Sequence, residues 1–316
     1  MIIPGHSFLP FRISLYDKKA DNLLTDQSPH RPRGFLLVTM GVLFISPDSL
    51  LIRLADQPLE IQLFWRSLFQ GIGLALFTGL RYQLNWWKQV QQGGRPGLVV
   101  MIGLICSSTC FVLAIQHAQV AHVLLLLNTT PVIAGLLSWL VIGEKINRLT
   151  WILIGISIVG ATLIVMDSTA MGESGSSAFG LLMALGAALA TAINFLGARA
   201  RAPLDVTPVL VPACFLLSLG SGFLGGATLP PWENLRWLVL LGGVCLPMAY
   251  IGIQSGPRYI SAPETSMIML LESVFGILLA WMFLQELPGE FGVLGGGLVL
   301  GGLLTKAWWE WKMPSL

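Results

Sequence analysis

Apolar residues come along this chain in blocks of about twenty, set off by short polar interruptions; 98–115, 120–142 and 151–166 are the plainest. A helix rising about 1.5 Å per residue crosses a hydrocarbon layer about 30 Å thick in that length, with its backbone groups satisfied inside the segment. Strands of a membrane barrel would alternate apolar and polar positions over about ten residues, and no such alternation is present. The pattern predicts ten spans, near 34–52, 59–80, 97–117, 119–142, 149–167, 178–200, 206–227, 235–254, 261–284 and 289–308. Glycine and proline mark most connections, notably Gly93-Gly94-Arg95-Pro96, residues 172–177 and Pro230-Pro231. The link around His117 to Gln119 is so short that spans three and four must form a tight hairpin. Residues 1–33 are polar, contain Pro29 and Pro32, and lack the apolar run of a signal peptide. They read as a mobile tail or a translation-start artefact.

The blocks repeat. Shifted by 142 residues without a gap, Val132, Leu136, Leu137, Trp139, Glu144, Gly155 and Gly160 fall on Val274, Leu278, Leu279, Trp281, Glu286, Gly297 and Gly302. Earlier in each unit a shift of 146 places Gly34 on Gly180, Asp48 on Asn194 and Arg53 on Arg199. The expected architecture is an all-α polytopic membrane protein made of two units, residues 34–167 (spans 1–5) and 178–308 (spans 6–10). Five spans is an odd number, so the second unit inserts upside down relative to the first. Inverted repeats of this kind are a common transporter plan, with the substrate held between the halves.

Composition agrees with a membrane protein: 54% of residues are apolar, 11% are charged, and the mean hydropathy is +0.76. A soluble domain carries about 25% charged residues. Charge placement then sets the orientation. On one side of a ten-span arrangement lie Arg12, Lys18, Lys19, Arg31, Arg33, Arg81, Lys88, Arg95, Lys145, Arg148, Arg199, Arg201, Arg258, Lys306 and Lys312, which is 15 of the 18 basic residues. Arg53 and Arg236 fall on the other side, and Arg66 sits within span two. Basic loops stay in the cytoplasm, so both termini are expected there and the protein in the cytoplasmic (inner) membrane.

In these features the chain resembles the drug/metabolite transporter superfamily, specifically its EamA-like branch of ten-span carriers. The residues that carry the resemblance are Phe64-Trp65-Arg66, Thr130-Pro131-Val132 and Gly143-Glu144-Lys145 in the first half, with Leu270-Leu271-Glu272 and Gln285-Glu286-Leu287 in the second. It covers about 34–308. Ser273 stands where the family often has proline, and Gln285 replaces the glycine before Glu286; the first departure argues against a kink in span nine. The resemblance implies a basket of helices around a central cavity that moves small metabolites by alternating access.

A charge within the bilayer is costly and tends to face a cavity or a partner. Glu272, about eleven residues into span nine, can bind a substrate amine or carry a coupling proton, or can pack against a hydroxyl or Arg66. Arg66 can attract an anionic group or form a structural ion pair. Asp48 follows Pro47, which removes a backbone donor, and can titrate during transport or pair with Arg53. Asn128, Thr129 and Thr130 precede Pro131, as at a helix broken for a binding site or in an interhelical hydrogen-bond patch. Asn194 is the repeat-mate of Asp48. Glu264, Glu144 and Glu286 sit at span ends and read as structural. His117 and His122 bracket the hairpin without metal-ligand spacing, and no metal or cofactor is expected. Cys106, Cys110, Cys214 and Cys245 read as small hydrophobes. Gly292, Gly295, Gly296, Gly297, Gly301 and Gly302 line span ten and favour close packing, between the halves or in a homodimer.

The expected activity is secondary transport of a small metabolite, amino-acid-like or another small organic solute, in the export direction, with proton coupling as an added feature. The partners are the solute and the lipid bilayer, not nucleic acid. A channel, or a scaffold or receptor without carrier activity, is the alternative. No His-rich triad, nucleophile elbow or phosphate loop is present to support an enzyme.

Overall fold

The computed structural model describes residues 31–137, 139–140, 152, 155–156, 158–164, 166, 176–200, 205–256, 259, 262–286 and 289–312. Every regular element among them is a helix. The first span is α1 (Arg31–Ile45) and α2 (Asp48–Ala55), divided at Ser46 and Pro47. Span two is α3 (Leu59–Tyr82), followed by a short surface helix α4 (Trp86–Gln92) with no buried residue. Span three is α5 (Gly94–His117), and span four is α6 (Val120–Leu127) and α7 (Thr130–Leu137). The second half supplies α8 (Ala178–Ala200), α9 (Thr207–Ser221), α10 (Trp232–Leu240), α11 (Leu246–Ser255), α12 (Ala262–Leu284) and α13 (Glu290–Lys312).

Among the described residues seven helices are long and apolar enough to cross a bilayer: 32–55, 59–82, 94–117, 120–137, 178–198, 207–226 and 232–255. Two shorter apolar stretches, Ile268–Leu284 and Glu290–Gly302, follow them. The predicted fifth span falls largely outside the described residues, as do the tail before Arg31 and the Gly143-Glu144-Lys145 motif. Helix α1 begins at Arg31, so it takes in the last residues assigned to the tail.

The surface is built inside out compared with a soluble protein. Leu76, Leu80, Leu182, Leu219 and Phe223 are exposed, whereas Asp48, Arg66, Gln70, Asn128 and Asn194 are buried. Apolar side chains facing lipid and polar ones facing inward is the arrangement a bilayer dictates.

Small residues set how closely the helices approach. Helix α5 lies along α8, where a Cβ on Gly103 would come within 2.9 Å of Asn194 backbone. Helix α1 lies along α11, where a Cβ on Gly41 would sit 2.7 Å from the Ala249 carbonyl. Helix α3 packs on α9, and α6 on α12. Gly160 of the fifth span meets Gly295 and Val299 of α13, so part of the glycine stripe in span ten serves packing within the chain. A Cβ on Gly297 or Gly301 of the same stripe would meet nothing within 4 Å among the described residues. Between α10 and α11 the helix widens at 241–245, just before Pro247, and Gly242 there sits under the Arg66 carbonyl of α3. Proline cannot donate to the ladder, and the wider turn absorbs the loss.

Candidate functional site

Two spans are broken midway, and each break sits at a proline. Pro131 has no N–H for the Leu127 carbonyl, and the Thr130 hydroxyl donates to that oxygen instead at 2.6 Å. The Thr129 hydroxyl likewise donates to Leu126 O at 2.7 Å. Asn128 N–H turns to Leu125 O, at 3.3 Å, rather than to the carbonyl four residues back, so the α-helical ladder is interrupted there. At the other break Ser46 Oγ donates to Val42 O at 2.7 Å, and Asp48 becomes the first residue of α2. A carboxylate is favoured there by the helix dipole. Span nine carries Ser273 in place of proline, and α12 runs through it unbroken.

The breaks open onto a cavity of about 100 Å³ lined from both halves of the chain. It brings together Asp48, Arg66, Asn128, Thr130, Asn194 and Glu272, residues far apart in sequence. Thr129, one residue from two of them, does not line it. Arg66 Nη2 donates to Asp48 Oδ2 at 2.6 Å, with both side chains 3% exposed. Arg53, the other partner considered for Asp48, turns to the far end of the helix and donates to Ala118 O at 2.7 Å. Arg66 also stands over the Phe111 ring, 6.0 Å from its centroid.

Asn194 donates to Val100 O and accepts from Gln254 Nε2, each at 2.9 Å, so its amide holds α5 and α11 to α8. Ser273 Oγ lies 2.7 Å from Asn128 Oδ1 and 3.1 Å from Leu124 O, and so clamps α12 to the broken fourth span. The half-buried Glu272, one residue before Ser273, makes no hydrogen bond or ion pair among the described residues. Arg66 Nε and Nη1, Asp48 Oδ1 and Asn128 Nδ2 have no hydrogen-bond partner among the described residues either. In a chain where buried polar groups are normally satisfied, these atoms form a concentrated set of unused donors and acceptors.

Sequence reasoning did not single out Tyr250, Thr191, Ser107, Ser108 or Phe111, which also line it. A lone tyrosine within an apolar span was the available signal for Tyr250; the serines look like ordinary small residues of a membrane helix. His117 and His122 do not face one another: His117 Nδ1 is 2.9 Å from Leu113 O of its own helix, and His122 Nδ1 is 2.8 Å from Ser176 Oγ. The side chains of Glu264 and Glu144 lie outside the described residues.

Each end of the bundle has its own tie between the halves. At one end Glu286 Oε2 accepts from Val120 N–H at 2.8 Å, and Glu286 Oε1 lies 3.6 Å from Arg53 Nη2. At the other end Asp205 accepts from the Tyr82 hydroxyl and from Thr207 N–H, with Arg81 4.0 Å away. Helix α3 starts near the first tie and ends at the second, a separation of about 36 Å for its 24 residues.

The EamA-like transporter family profile matches the chain twice, over residues 33–166 and 178–306. The pseudopaline exporter CntI of Pseudomonas aeruginosa (strain UCBPP-PA14) is 29% identical over 274 residues, covering 84% of this chain and 93% of that protein. The uncharacterized transporter YwfM of Bacillus subtilis (strain 168) is 24% identical over 258 residues, 76% of this chain and 81% of that one. A protein of known crystal structure shares the fold at a TM-score of 0.64 and 16% identity, over 90% of this chain and 100% of that one.

Proposed function

The chain belongs to the EamA-like transporter family across both of its halves, and from that premise we propose a secondary transporter that exports a small organic solute by alternating access. The proposed units are residues 34–167 and 178–308, five spans each, inserted in opposite senses with both termini in the cytoplasm. The pattern of helix packing supports this arrangement. Spans three and six pack together, as do eight and one; four packs on six, and nine on one; two packs on seven and four on nine. Advancing every span number by five returns the same set of pairs. Any bundle of two like halves related by a pseudo-two-fold axis has this property, and an odd number of spans per half puts that axis in the membrane plane.

The cavity shared by the two halves carries the functional proposal. At about 100 Å³ it is well below the ~300–1,000 Å³ of ordinary ligand sites, so its walls must part for a solute to enter. Asp48 and Arg66 neutralise one another, which leaves Glu272 as the uncompensated cavity group among the described residues. A carboxylate without a protein partner suits an amine on the solute, or a proton between loads. The unused nitrogens of Arg66 suit a carboxylate, so an amino-acid-like solute fits both ends. Export is the direction of the pseudopaline exporter that the chain resembles. The family and these relatives are transporters, which points away from an enzyme.

The test is uptake of amine-bearing metabolites into proteoliposomes across a range of pH. Saturable uptake is expected from the parent, and Glu272→Gln should lower it by about tenfold or more and flatten its pH profile. An unchanged pH profile in Glu272→Gln rules out proton coupling through that residue. Uptake that never saturates points to a channel instead.

A further inference from the structure

We propose that Arg53 and Glu286 form the latch of the gate on the face opposite the termini, a role beyond capping. The inference rests on the carrier proposal above. Glu286 belongs to the second half, while Arg53, Ala118 and Val120 belong to the first. One carboxylate therefore reaches across the boundary that must open for the site to meet this side. Its aim is fixed by the end of α12. Gln285 adopts a left-handed φ of 57°, and its N–H donates to Trp281 O at 3.2 Å. This is the bonding that ends helices with a left-handed residue, and here it turns Glu286 toward the start of α6.

The attachment point connects directly to the site. Val120 is the first residue of α6, and Asn128 follows eight residues later, about 12 Å along the helix. Midway through the membrane Ser273 of α12 already holds Leu124 and Asn128. Helices α6 and α12 are thus fastened twice, once beside the cavity and once at the membrane edge. A solute that wedges between Asn128 and Glu272 loosens the inner fastening, and the outer one then decides whether the pair separates. Arg53 and Glu286 have side chains 29% and 21% exposed. Water can therefore replace their contact, as a reversible latch requires; a fully buried pair would hold the halves shut.

The experiment reads gate opening without requiring transport. In a background with Cys106, Cys110, Cys214 and Cys245 replaced by alanine, Ser107→Cys places a single thiol in the cavity wall. Intact cells are treated with a charged, membrane-impermeant methanethiosulfonate. Glu286→Gln is expected to react about tenfold faster than the parent, the factor that one charge-assisted hydrogen bond contributes to an equilibrium. Arg53→Gln should accelerate in the same direction, while Glu290→Gln, an exposed carboxylate four residues away, should match the parent. If Glu286→Gln is not monodisperse in size-exclusion chromatography, Arg53→Gln alone decides. Labelling at the parent rate in the folded latch variants overturns the latch. Loss of saturable uptake in the parent would overturn the carrier proposal instead, so the two failures are distinct.

Discussion

At the scale of single residues, the Asp48–Arg66 pair shows why burial and partnership must be argued together. Two charges 2.6 Å apart and nearly inaccessible are tolerable only as a pair. Asp48→Asn strands the guanidinium and should cost about 3–5 kcal/mol, read as a fall in the thermal unfolding midpoint of the purified protein in detergent. The double variant Asp48→Asn/Arg66→Gln should recover more than half of that loss, because neither side chain is then charged. If the double variant is no better than the single, the pair is not what the burial cost depends on. The identity of these residues was legible in the sequence, since each is a polar group in an otherwise apolar span. Their pairing was not. Arg53 lies five residues from Asp48, which on a helix is about 140° round the axis, whereas neighbours on one face are three or four apart. Arg66 comes from another span, and only tertiary packing brings it near. Tyr250 went unnoticed for a related reason: aromatic residues are common in membrane spans and the sequence does not say which way they point.

Elements were legible to the extent that bilayer thickness dictates them. The predicted spans two, three and six match α3, α5 and α8 within a few residues at each end, because about twenty apolar residues have one natural use in a membrane. The short helix α4 and the widened turn before Pro247 were not legible, since neither changes the apolar pattern. The sequence departs from its family at Gln285, where glycine is usual, and the structure supplies the reason for that preference: the residue is left-handed. A side chain there costs about 1–2 kcal/mol relative to the ordinary helical region, partly offset by glycine's greater freedom when unfolded. Gln285→Gly is therefore expected to raise stability by about 0.5–1 kcal/mol, seen as a higher unfolding midpoint with uptake unchanged. A lower midpoint would mean that the glutamine side chain, which lies 3.4 Å from Met282 O, contributes more than the backbone strain removes.

For the whole molecule, orientation and internal repetition are independent properties that one span count must satisfy together. The loops carrying 15 of the 18 basic residues alternate with loops that carry almost none only if ten spans are counted. Among the described helices, the pairings return to themselves when the predicted span numbers are advanced by five. An eleventh or a missing span would break both patterns together. In the ten-span arrangement Arg53, Ala118, Val120, Ser176 and Glu286 all belong to the face away from the termini, while Tyr82 and Asp205 belong to the near face. The contacts obey that division: Ser176 meets Gln119 and His122, Glu286 meets Val120, and Asp205 meets Tyr82. Reporter fusions test it directly. A cytoplasm-active reporter joined after Leu316, or placed before Gly34, should be active in both cases, and a periplasm-active one inactive in both. Single cysteines at Gln57 and Gly289 should then react with an impermeant thiol reagent in intact cells, and one at Gln91 should not. Termini on opposite faces would leave an odd number of spans between them. Two units of five spans cannot give an odd total, so a site shared between inverted five-span units would lose its geometric basis.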